Sequence, residues 1–324
     1  MNTFGRLFKV SIFGESHGES VGVLIDGCPP GVALSETDFS RDLERRKSGP
    51  KGTTSRLEAD VPLIKSGVMD GKTTGAPILV LFENRDTDSG AYEQMRYTPR
   101  PGHADFSAWK KYRGFNDYRG GGHFSGRLTV GLVTAGAIAK KLAGPVTFEA
   151  KLIEAGGSKD IDKAVESVMG DNDSIGGIVE CRMSNVPAGL GEPFFDSMES
   201  LISHVVFSVP AVKGIEFGAG FAGSRMRGSE HNDEILSLEG RTKTNNTGGI
   251  NGGITNGNDV VFRAAVKPTS SIQAVQSTID IRTGETVQFS VAGRHDACIA
   301  LRMPVIIEAA AAIVLADLLK AVNS

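Results

Sequence analysis

Tryptophan and tyrosine are scarce in this chain of 324 residues, which contains one Trp and four Tyr. That scarcity disfavours a large aromatic recognition surface. Basic residues are not in excess either, since the formal net charge is −3. Dedicated nucleic-acid-binding proteins usually carry a basic excess that displaces counterions from phosphates. We therefore expect no nucleic-acid partner, and any basic site on this protein must be local.

Cysteine is also rare. Cys28, Cys181 and Cys298 are odd in number, far apart and match no metal-ligand spacing. We expect three unpaired thiols that pack as small buried hydrophobic groups, as free cysteines commonly do. This usage is typical of the reducing cytoplasm, where disulfides rarely persist.

No segment of the chain predicts secretion or membrane insertion. The N-terminus lacks the charged and apolar pattern of a signal peptide. The apolar run from Val305 to Val322 is interrupted by Glu308, Asp317 and Lys320, whereas a membrane span needs about 20 predominantly apolar residues. The run therefore predicts a core helix, and we expect a cytoplasmic protein with no membrane partner.

Glycine, in contrast, is abundant. It accounts for 41 of the 324 residues, roughly 13%, against the ~7% that is usual in proteins. The glycines are not periodic, so a collagen-like fibre is excluded. They fall in bursts such as Gly120–Gly122 and Gly248–Gly253, where the backbone must turn sharply or approach a ligand closely. The segment Asp233–Gly253 lacks clean periodicity, and we predict a long, mobile functional loop there.

Short β-branched segments bounded by Gly, Pro or Asp predict strands, and apolar spacing with a high alanine content predicts helices. Ser35 and Asp38 predict a capping box at the first helix. The predicted strands are Leu7–Phe13, Val21–Ile25, Ile78–Phe82, Gly177–Met183, Gly214–Phe217 and Val260–Val266. The predicted helices are Glu36–Arg46, Gly126–Leu142, Pro193–Phe207 and Pro304–Val322.

Two pairs of segments echo each other along the chain. A strand runs into Cys28–Gly31 before one helix, and another strand runs into Val186–Gly189 before a second helix. Gly126–Arg127 and Gly293–Arg294 each precede an alanine-rich helix. A duplicated α/β unit explains both pairs, and chance is the alternative. Because no low-complexity linker separates the halves, we expect one compact body with intertwined repeats.

Four of the six histidines lie among glycines and arginines. A histidine in a glycine-rich turn has few side chains to pack against, and imidazole exchanges protons near neutral pH. One such histidine is explained as well by an exposed loop or by a hydrogen bond to its own turn, but four together favour an acid–base role. We interpret His204 and His231, which lack this setting, as structural. The four segments are Gly14–Gly18, Arg100–Asp105, Gly120–His123 and Gly293–Asp296.

Cationic residues accompany the same glycines. Guanidinium groups bind phosphate and carboxylate through bidentate forks, and glycine-rich backbone leading into the helix at Gly126 offers N–H groups to an anion. The sequence therefore predicts a local anion site, whereas Lys110, Lys111 and Lys140 are more simply interpreted as a solvated face. The cations concerned are Arg45, Arg46, Lys47, Lys51, Arg100, Arg113, Arg119, Arg127 and Arg294.

The segment Lys267–Ser271 follows a predicted strand and places one cation beside three hydroxyl groups. That composition suits a phosphate cradle, although Pro-Thr-Ser also makes ordinary turns. The chain has no P-loop, and no Gly-x-Gly-x-x-Gly follows a strand. The histidines show no metal-ligand spacing, so we expect no metal. The Tyr118–Gly122 segment is superficially like an RNA-binding repeat, but it occurs once in an acidic chain.

Five of these segments, taken in order, resemble the chorismate synthase family, and the resemblance extends from Gly5 almost to the C-terminus. Each motif alone is weak, but five in the same order and spacing are specific. The segments are Phe13–Gly18, Arg100–Asp105, Asp117–Gly122 with Ser125 and Arg127, Lys267–Ser271 and Gly293–Asp296.

The resemblance implies a fold, a reaction and a cofactor. The implied fold is an α+β, β-α-α-β sandwich built from a duplicated unit, a single domain over residues 1–324, usually assembled as a homotetramer. The implied reaction is the 1,4-anti elimination of phosphate from 5-enolpyruvylshikimate 3-phosphate, which gives chorismate in the shikimate pathway. Reduced FMN is the implied cofactor, although no net redox change occurs. No segment remains for an NADP-binding domain, so we expect an external source of reduced flavin.

The resemblance also implies roles for individual residues. His17 and His103 match the two acid histidines, and we assign His17 to the departing phosphate and His103 to the protonation of reduced flavin. Asp296 matches the carboxylate near flavin N5. The residues matching arginines near substrate or FMN are Arg46, Arg127 and Arg294. The residues matching flavin contacts are His123, Phe124, Ser125, Pro210, Ala211, Gly252, Lys267, Pro268, Thr269, Ser270 and Ser271.

Two departures from the family pattern put some contacts in question. His123 and Phe124 stand where many members have Arg-Ser, and many members have an arginine near Lys51–Gly52. The chain is also shorter than many members, around Pro145–Gly176 and at the C-terminus. Two other functions remain as alternatives: an FMN-dependent oxidoreductase with net hydride transfer, and a noncatalytic anion- or RNA-binding scaffold.

Overall fold

The computed structural model describes residues 2–56, 58–87, 90–291 and 295–322. The α-helices in these ranges are α1 (Ser40–Arg46), α2 (Asp105–Tyr112), α3 (Thr129–Leu142), α4 (Ile161–Gly170), α5 (Met198–Ser208), α6 (Gly228–His231) and α7 (Pro304–Val322). The strands are β1 (Thr3–Phe4), β2 (Lys9–Gly14), β3 (Ser20–Asp26), β4 (Leu63–Ile64), β5 (Val68–Met69), β6 (Lys72–Thr73), β7 (Ile78–Glu83), β8 (Thr147–Ala155), β9 (Gly177–Ser184), β10 (Val212–Phe217), β11 (Ile250–Asn251), β12 (Ile254–Thr255), β13 (Val260–Val266), β14 (Gln276–Ile279) and β15 (Thr286–Phe289).

The first sheet has the order β1-β2-β3-β7-β4 and is antiparallel throughout. Val23 in β3 lies opposite Ile12 on one side and Val80 on the other. Val21, Val23 and Ile25 are fully buried, because alternate residues of a strand face the same side of the sheet. This alternation confirms the predicted strands in this half, although the first begins at Lys9 and not at Leu7.

The second sheet has the order β10-β13-β9-β8 and is also antiparallel. Phe262 in β13 lies opposite Cys181 in β9, which in turn lies opposite Ala150 in β8. A β-bulge interrupts the pairing of β10 with β13 between Val212 and Gly214. Bulges bend a strand and redirect a side chain, and this one lies at the edge of the cavity described below.

Helices α3 and α7 pack against each other, α3 against the first sheet and α7 against β8 and β9. Small residues permit the close helix crossing. A Cβ on Gly136 of α3 would come within 2.3 Å of the Ala309 Cβ on α7. The four predicted helices are confirmed, and each is preceded by a short 3-10 turn. At the first of them, Asp38 accepts a hydrogen bond from the Ser35 backbone N–H at 2.7 Å, as the predicted capping box requires.

Helix α7 is buried along almost its whole length, yet it carries two acidic residues. Glu308 accepts hydrogen bonds from both terminal nitrogens of Arg45 at 2.7 Å and from Lys140 at 2.9 Å. Asp317 accepts from the backbone N–H groups of residues 6, 7 and 8 at 2.7–3.1 Å. Glu308 is therefore paired with two cations, and the Asp317 carboxylate is satisfied by backbone N–H groups. Within the described ranges, no helix combines the length and apolar character that crossing a bilayer requires.

Several elements were missed by the sequence analysis, notably α2, β8, α4 and the β14–β15 hairpin. In β8 the exposed residues Glu149 and Lys151 alternate with inward ones, so the hydrophobic signal is weak. The segment 233–253, expected to be a mobile loop, is organised around one carboxylate. Asp233 accepts from the backbone N–H groups of Asn246 and Thr247 at 2.8 and 2.9 Å. The mobility of this segment stays a prediction.

Candidate active site

A cavity of about 860 Å³ lies where the ends of α1, α5 and β13 meet the turns that precede α3 and α7. Its volume is in the range of pockets for drug-sized ligands and cofactors. Most residues predicted from the sequence contribute to its wall. Those on the wall are Arg46, His103, His123, Phe124, Ser125, Arg127, Pro210, Ala211, Lys267, Pro268, Thr269, Ser270, Ser271 and Asp296.

Two buried arginines share one carboxylate at the cavity wall. Arg46, in the last turn of α1, and Arg127, in the turn before α3, donate to different oxygens of Asp60. Burial opposes the ionisation of Asp60, but the two guanidinium groups hold its pKa below the ordinary value. Asp60 has a φ of +50°, a left-handed conformation uncommon for a non-glycine residue. Sequence analysis missed it, because a single aspartate in a loop carries no distinguishing pattern.

This cluster retains donors that the protein does not use. Arg127 Nε donates to Asn84 at 2.9 Å, but Arg127 Nη2 and Arg46 Nε are buried without a hydrogen-bond partner in the described part of the chain. Burial first, and then the neighbouring Arg302 and Arg127, lower the pKa of Arg46 from 12.5 to about 10. Buried donors without partners are costly, and both arginines line the cavity, which indicates an anionic ligand.

His103 belongs to a hydrogen-bonded group with Arg100 and Asp105. Its Nδ1 lies 2.6 Å from Asp105 Oδ1 and 3.0 Å from Arg100 Nη2. The shorter contact assigns the Nδ1 proton to the bond with Asp105, which leaves Nε2 as the second ring atom available for chemistry. Arg100 also donates to Asp105 and, at 2.9 Å, to Ser271 Oγ. Burial is the largest influence on the pKa of His103 and lowers it from 6.5.

His17 lies one layer behind the cavity wall. Its side chain is buried, and its ring meets the ring of Tyr92 edge-on with centroids 5.1 Å apart. Gly120 and Tyr92 stand on the wall in front of it. The adjacent Ser16 donates its backbone N–H to Gly122 O at 3.1 Å. The two predicted acid histidines therefore approach the cavity differently, His103 from its wall and His17 through the glycine-rich turn.

His123, Phe124 and Ser125 all line the cavity, although two of them depart from the family pattern. His123 Nδ1 lies 2.9 Å from Gly14 O, so the imidazole joins this turn to the end of β2. Ser125 caps the turn before α3 by accepting from the Arg127 backbone N–H at 3.3 Å. His204, interpreted as structural, packs its ring edge-on against Phe4 at 5.3 Å and also reaches the cavity wall.

The segment Lys267–Ser271 connects to the Arg100–Asp105 segment across the cavity. Ser270 Oγ accepts from Lys267 Nζ at 2.6 Å and donates to Gly102 O at 2.8 Å. The buried Thr269 Oγ1 has no hydrogen-bond partner among the described residues. The Lys267–Ser271 and Arg100–Asp105 segments, distant in sequence, thus form one part of the cavity wall, and the Thr269 hydroxyl in it keeps an unused hydrogen-bonding group.

Lys213 lies beside Lys267 and was missed by the sequence analysis. It occupies the β-bulge of β10 and lines the cavity. Ala211, two residues before it, also lines the cavity. Ala211 has a φ of +74° and accepts the Lys267 backbone N–H at 2.8 Å. Burial, and then the charge of Lys213, lower the pKa of Lys267. Two ammonium groups that repel each other at a cavity wall make a favourable place for an anion.

Asp296 is buried and tied to the loop after α1. It accepts from the Thr54 backbone N–H at 3.0 Å and pairs with Arg302 at 3.3 Å. It does not cap the following helix, since Ala297 and Cys298 donate their backbone N–H groups to Gly52 O. The predicted Gly293 and Arg294 lie outside the described residues. Sequence analysis missed Arg302, which also donates to Arg46 O at 3.0 Å.

His295 adds a fourth imidazole to the cavity wall, beside those of His103, His123 and His204. Its Nε2 is buried and has no hydrogen-bond partner among the described residues. Burial, with the nearby charge of Arg100, lowers its pKa from 6.5 to about 4. Gly252, in contrast, lies away from this cavity, in the turn of the β11–β12 hairpin with a φ of +63°.

Buried guanidinium donors and imidazoles face a single cavity of this protein. Such a site belongs to an enzyme that acts on an anionic small molecule.

The comparisons with known proteins agree on one family. The family model described as chorismate synthase matches residues 8–319. A chorismate synthase of Chitinophaga pinensis is 62% identical over 318 residues, which covers 98% of this chain and 96% of that protein. One from Thermococcus kodakarensis is 45% identical over an alignment of 340 residues, with 97% and 96% covered. A solved structure, described as the crystal structure of chorismate synthase, matches with a TM-score of 0.74 and 26% identity over 98% of this chain and 92% of that one. The chain therefore belongs to the chorismate synthase family, a family of carbon–oxygen lyases in the shikimate pathway.

Proposed function

We propose that this chain catalyses the 1,4-anti elimination of phosphate from 5-enolpyruvylshikimate 3-phosphate, giving chorismate, with reduced FMN as cofactor. In this reaction the bond between C3 and the phosphate oxygen breaks, a proton leaves C6, and a second ring double bond forms. The observation that carries the proposal is the buried pair Arg46 and Arg127, which line the cavity together with His103 and each keep one donor nitrogen that no described residue uses.

The arginines bind and polarise the substrate. A phosphate or carboxylate oxygen that enters the cavity is bound by the guanidinium groups of Arg46 and Arg127, which each keep one nitrogen without a partner among the described residues. Guanidinium donors held in a buried site strengthen their bonds as negative charge develops on the departing phosphate. Asp60 fixes both side chains before the substrate arrives, so little reorganisation is needed during the reaction.

The two histidines handle protons. His17 is the proposed donor to the departing phosphate, and Gly120 is the part of the wall that separates it from the cavity. His103 is neutral at pH 7, because burial lowers its pKa. With Nδ1–H held by Asp105, its Nε2 is the atom that accepts or returns a proton toward the cofactor.

Asp296 is the proposed acceptor of the proton that leaves C6. Its carboxylate lies at the cavity wall, where Thr54 and Arg302 are its hydrogen-bond partners among the described residues. The Arg302 contacts are 3.3 Å long, longer than usual charge-assisted bonds. A carboxylate held this way keeps the capacity to take up a proton.

The residues present fit FMN. A flavin requires an apolar slot for its ring and cations or hydroxyls for its phosphate. Lys213, Lys267 and the unused Thr269 hydroxyl suit the phosphate, and the lining of the same cavity includes apolar side chains. Reduced FMN, when bound, supplies transient electron donation that assists the loss of phosphate without net redox change. These apolar side chains include Phe4, Ile12, Leu132, Val205, Phe207 and Ile306.

The same proposal includes the finer architecture and setting. The packing of α3 and α7 between two sheets supports a single-domain β-α-α-β sandwich. Each half has a strand, a turn and a short helix, β3 then α1 and β9 then α5, which supports a duplicated unit. Cys28, Cys181 and Cys298 are free and buried, which supports a cytoplasmic location. We also propose a homotetramer that receives reduced FMN from an external source.

The test is an anaerobic assay with 5-enolpyruvylshikimate 3-phosphate and reduced FMN, in which phosphate and chorismate are measured together. Equal amounts of both products, with no consumption of reductant, are expected. Oxidation of reduced FMN in step with product would instead identify a flavin oxidoreductase. Absence of FMN binding, with salt-dependent RNA binding, would identify a noncatalytic scaffold.

A further inference from the structure

Gly120 lies directly against the ring of His17. A Cβ placed on Gly120 would come within 2.3 Å of His17 Cδ2 and 2.5 Å of Nε2, distances that no real Cβ tolerates. The residue has a φ of +58°, so its backbone also favours glycine. The imidazole therefore occupies the space that any other residue at this position would fill.

The next residue, Gly121, lies against His103. A Cβ on Gly121 would contact His103 Cε1 at 3.4 Å and Nε2 at 3.5 Å. These are ordinary van der Waals distances, so a methyl group here would cover Nε2 without displacing the ring. Consecutive Cα atoms are about 3.8 Å apart, so the two histidines are held against neighbouring positions of one backbone segment.

Gly122 completes this segment and anchors it. A Cβ on Gly122 would lie 2.1 Å from Asp117 O, a backbone atom that cannot move aside. Its carbonyl accepts from the Ser16 N–H at 3.1 Å, which ties the His17 loop to the same segment. We call residues 120–122 the glycine turn.

We infer that the glycine turn positions both proposed acids, with Gly120 setting the place of the His17 ring and Gly121 leaving His103 Nε2 uncovered. Gly120 and Gly121 are positioning residues, since they act through the imidazoles. The inference rests on the proposed function for the roles of the two histidines. The contacts themselves do not depend on it.

The two glycines differ in what a methyl group would do. At Gly120 the obstructed atoms belong to a side chain, so Gly120→Ala displaces the His17 ring and leaves the fold intact. At Gly121 the methyl group would fit beside His103 without moving its ring, but it would cover Nε2, and the φ of +81° strains any side chain there, so Gly121→Ala should lower turnover while the His103 ring stays in place. Displacement of a reacting group by about 1 Å is enough to cost about 10²-fold in rate, and we expect a loss of that size for Gly120→Ala.

The experiment compares Gly120→Ala with Gly144→Ala. Gly144 also has a positive φ, +62°, but nothing lies within 4 Å of its Cβ position, and it is remote from the cavity. The two variants should melt at similar temperatures, and Gly144→Ala should keep wild-type turnover. The ring resonances of His17 can be assigned in a heteronuclear NMR spectrum, because they are absent in His17→Ala. In Gly120→Ala these resonances should shift, whereas those of His103 should stay in place.

A double variant separates positioning from general damage. In a His17→Ala background the ring is gone, so adding Gly120→Ala should lower turnover no further. Unchanged His17 resonances in Gly120→Ala, or additive losses in the double variant, would overturn the inference. Wild-type turnover in His17→Ala would instead overturn the proposed role of His17, an outcome that the NMR measurement distinguishes from failure of the glycine turn.

Discussion

Arg46 and Arg127 lie far apart in the sequence, yet they donate hydrogen bonds to opposite oxygens of the same buried carboxylate, that of Asp60. Two cations and one anion leave a net positive charge, and Arg302, which pairs with Asp296, lies near enough to contribute to the lowered pKa of Arg46. The cluster is thus held together without being neutralised. An anionic substrate completes its charge balance.

Replacing Asp60 tests this relationship. Asp60→Asn keeps the shape and tolerates the left-handed backbone, but it leaves two buried guanidinium groups without their anion. We expect the free energy of unfolding to fall by about 3–5 kcal/mol. Inorganic phosphate should raise the melting temperature more in this variant than in the wild type, because it replaces the lost charge. Asp259→Asn is the matched control, since that residue pairs with Arg182 on the surface. Equal losses in the two variants would contradict the assignment.

The stability of the protein should depend on pH through His295. Burial lowers its pKa to about 4 in the native state, against 6.5 for an unperturbed histidine. Between these values the unfolded chain binds a proton that the native state does not, so stability falls as the pH drops from 6.5 toward 4. His295→Gln should make the denaturation midpoint less sensitive to pH in this window. Identical profiles for the variant and the wild type would show that His295 is not held neutral.

Asp296→Asn separates a chemical role from a structural one. The amide oxygen still accepts from the Thr54 N–H, but it takes no proton at neutral pH. We expect turnover to fall by about 10²–10⁴-fold, with little change in melting temperature or FMN affinity. Steady-state kinetics, thermal melting and flavin titration measure the three quantities. A loss of activity that merely follows a loss of folding would make Asp296 a structural residue.

Lys213→Met tests the proposed phosphate site for FMN. Removing one of the two ammonium groups should weaken FMN binding by about tenfold, which corresponds to about 1.4 kcal/mol. Riboflavin lacks the phosphate, so its affinity should not change. Lys243→Met is the control, because that lysine pairs with Glu234 on the surface. If the variant binds both flavins normally but requires more 5-enolpyruvylshikimate 3-phosphate, Lys213 serves the substrate instead.

The sequence was sufficient to predict the long helices, six strands and many of the polar residues that line the cavity. Those residues lie in local patterns: His103 in a glycine-rich turn, and Lys267 at the end of an apolar strand. Asp60 and Lys213 could not be found this way. Asp60 acquires its role from two arginines distant in sequence, and Lys213 from a bulge in strand pairing. Both depend on tertiary contacts that a single sequence does not display.

The sequence also did not reveal how His17 reaches the cavity. A histidine beside glycines predicted an active group, but not that the glycines of another segment would stand between it and the ligand. Gly252 shows the reverse case. The family resemblance places it near the flavin, whereas within this single chain it lies away from the cavity.

Glu308 and Asp317 are nine residues apart on α7, which places them on roughly opposite sides of a helix with 100° per residue. A helix that is apolar on every side has no preferred rotation about its own axis. These two carboxylates fix the rotation of the helix. Turning or sliding it would move at least one of them away from its hydrogen-bond donors and into the apolar core. Ile306 and Ile313 on the same helix form part of the cavity wall. The shape of the cavity is thus fixed in part by an angular alignment that is set by charges outside it.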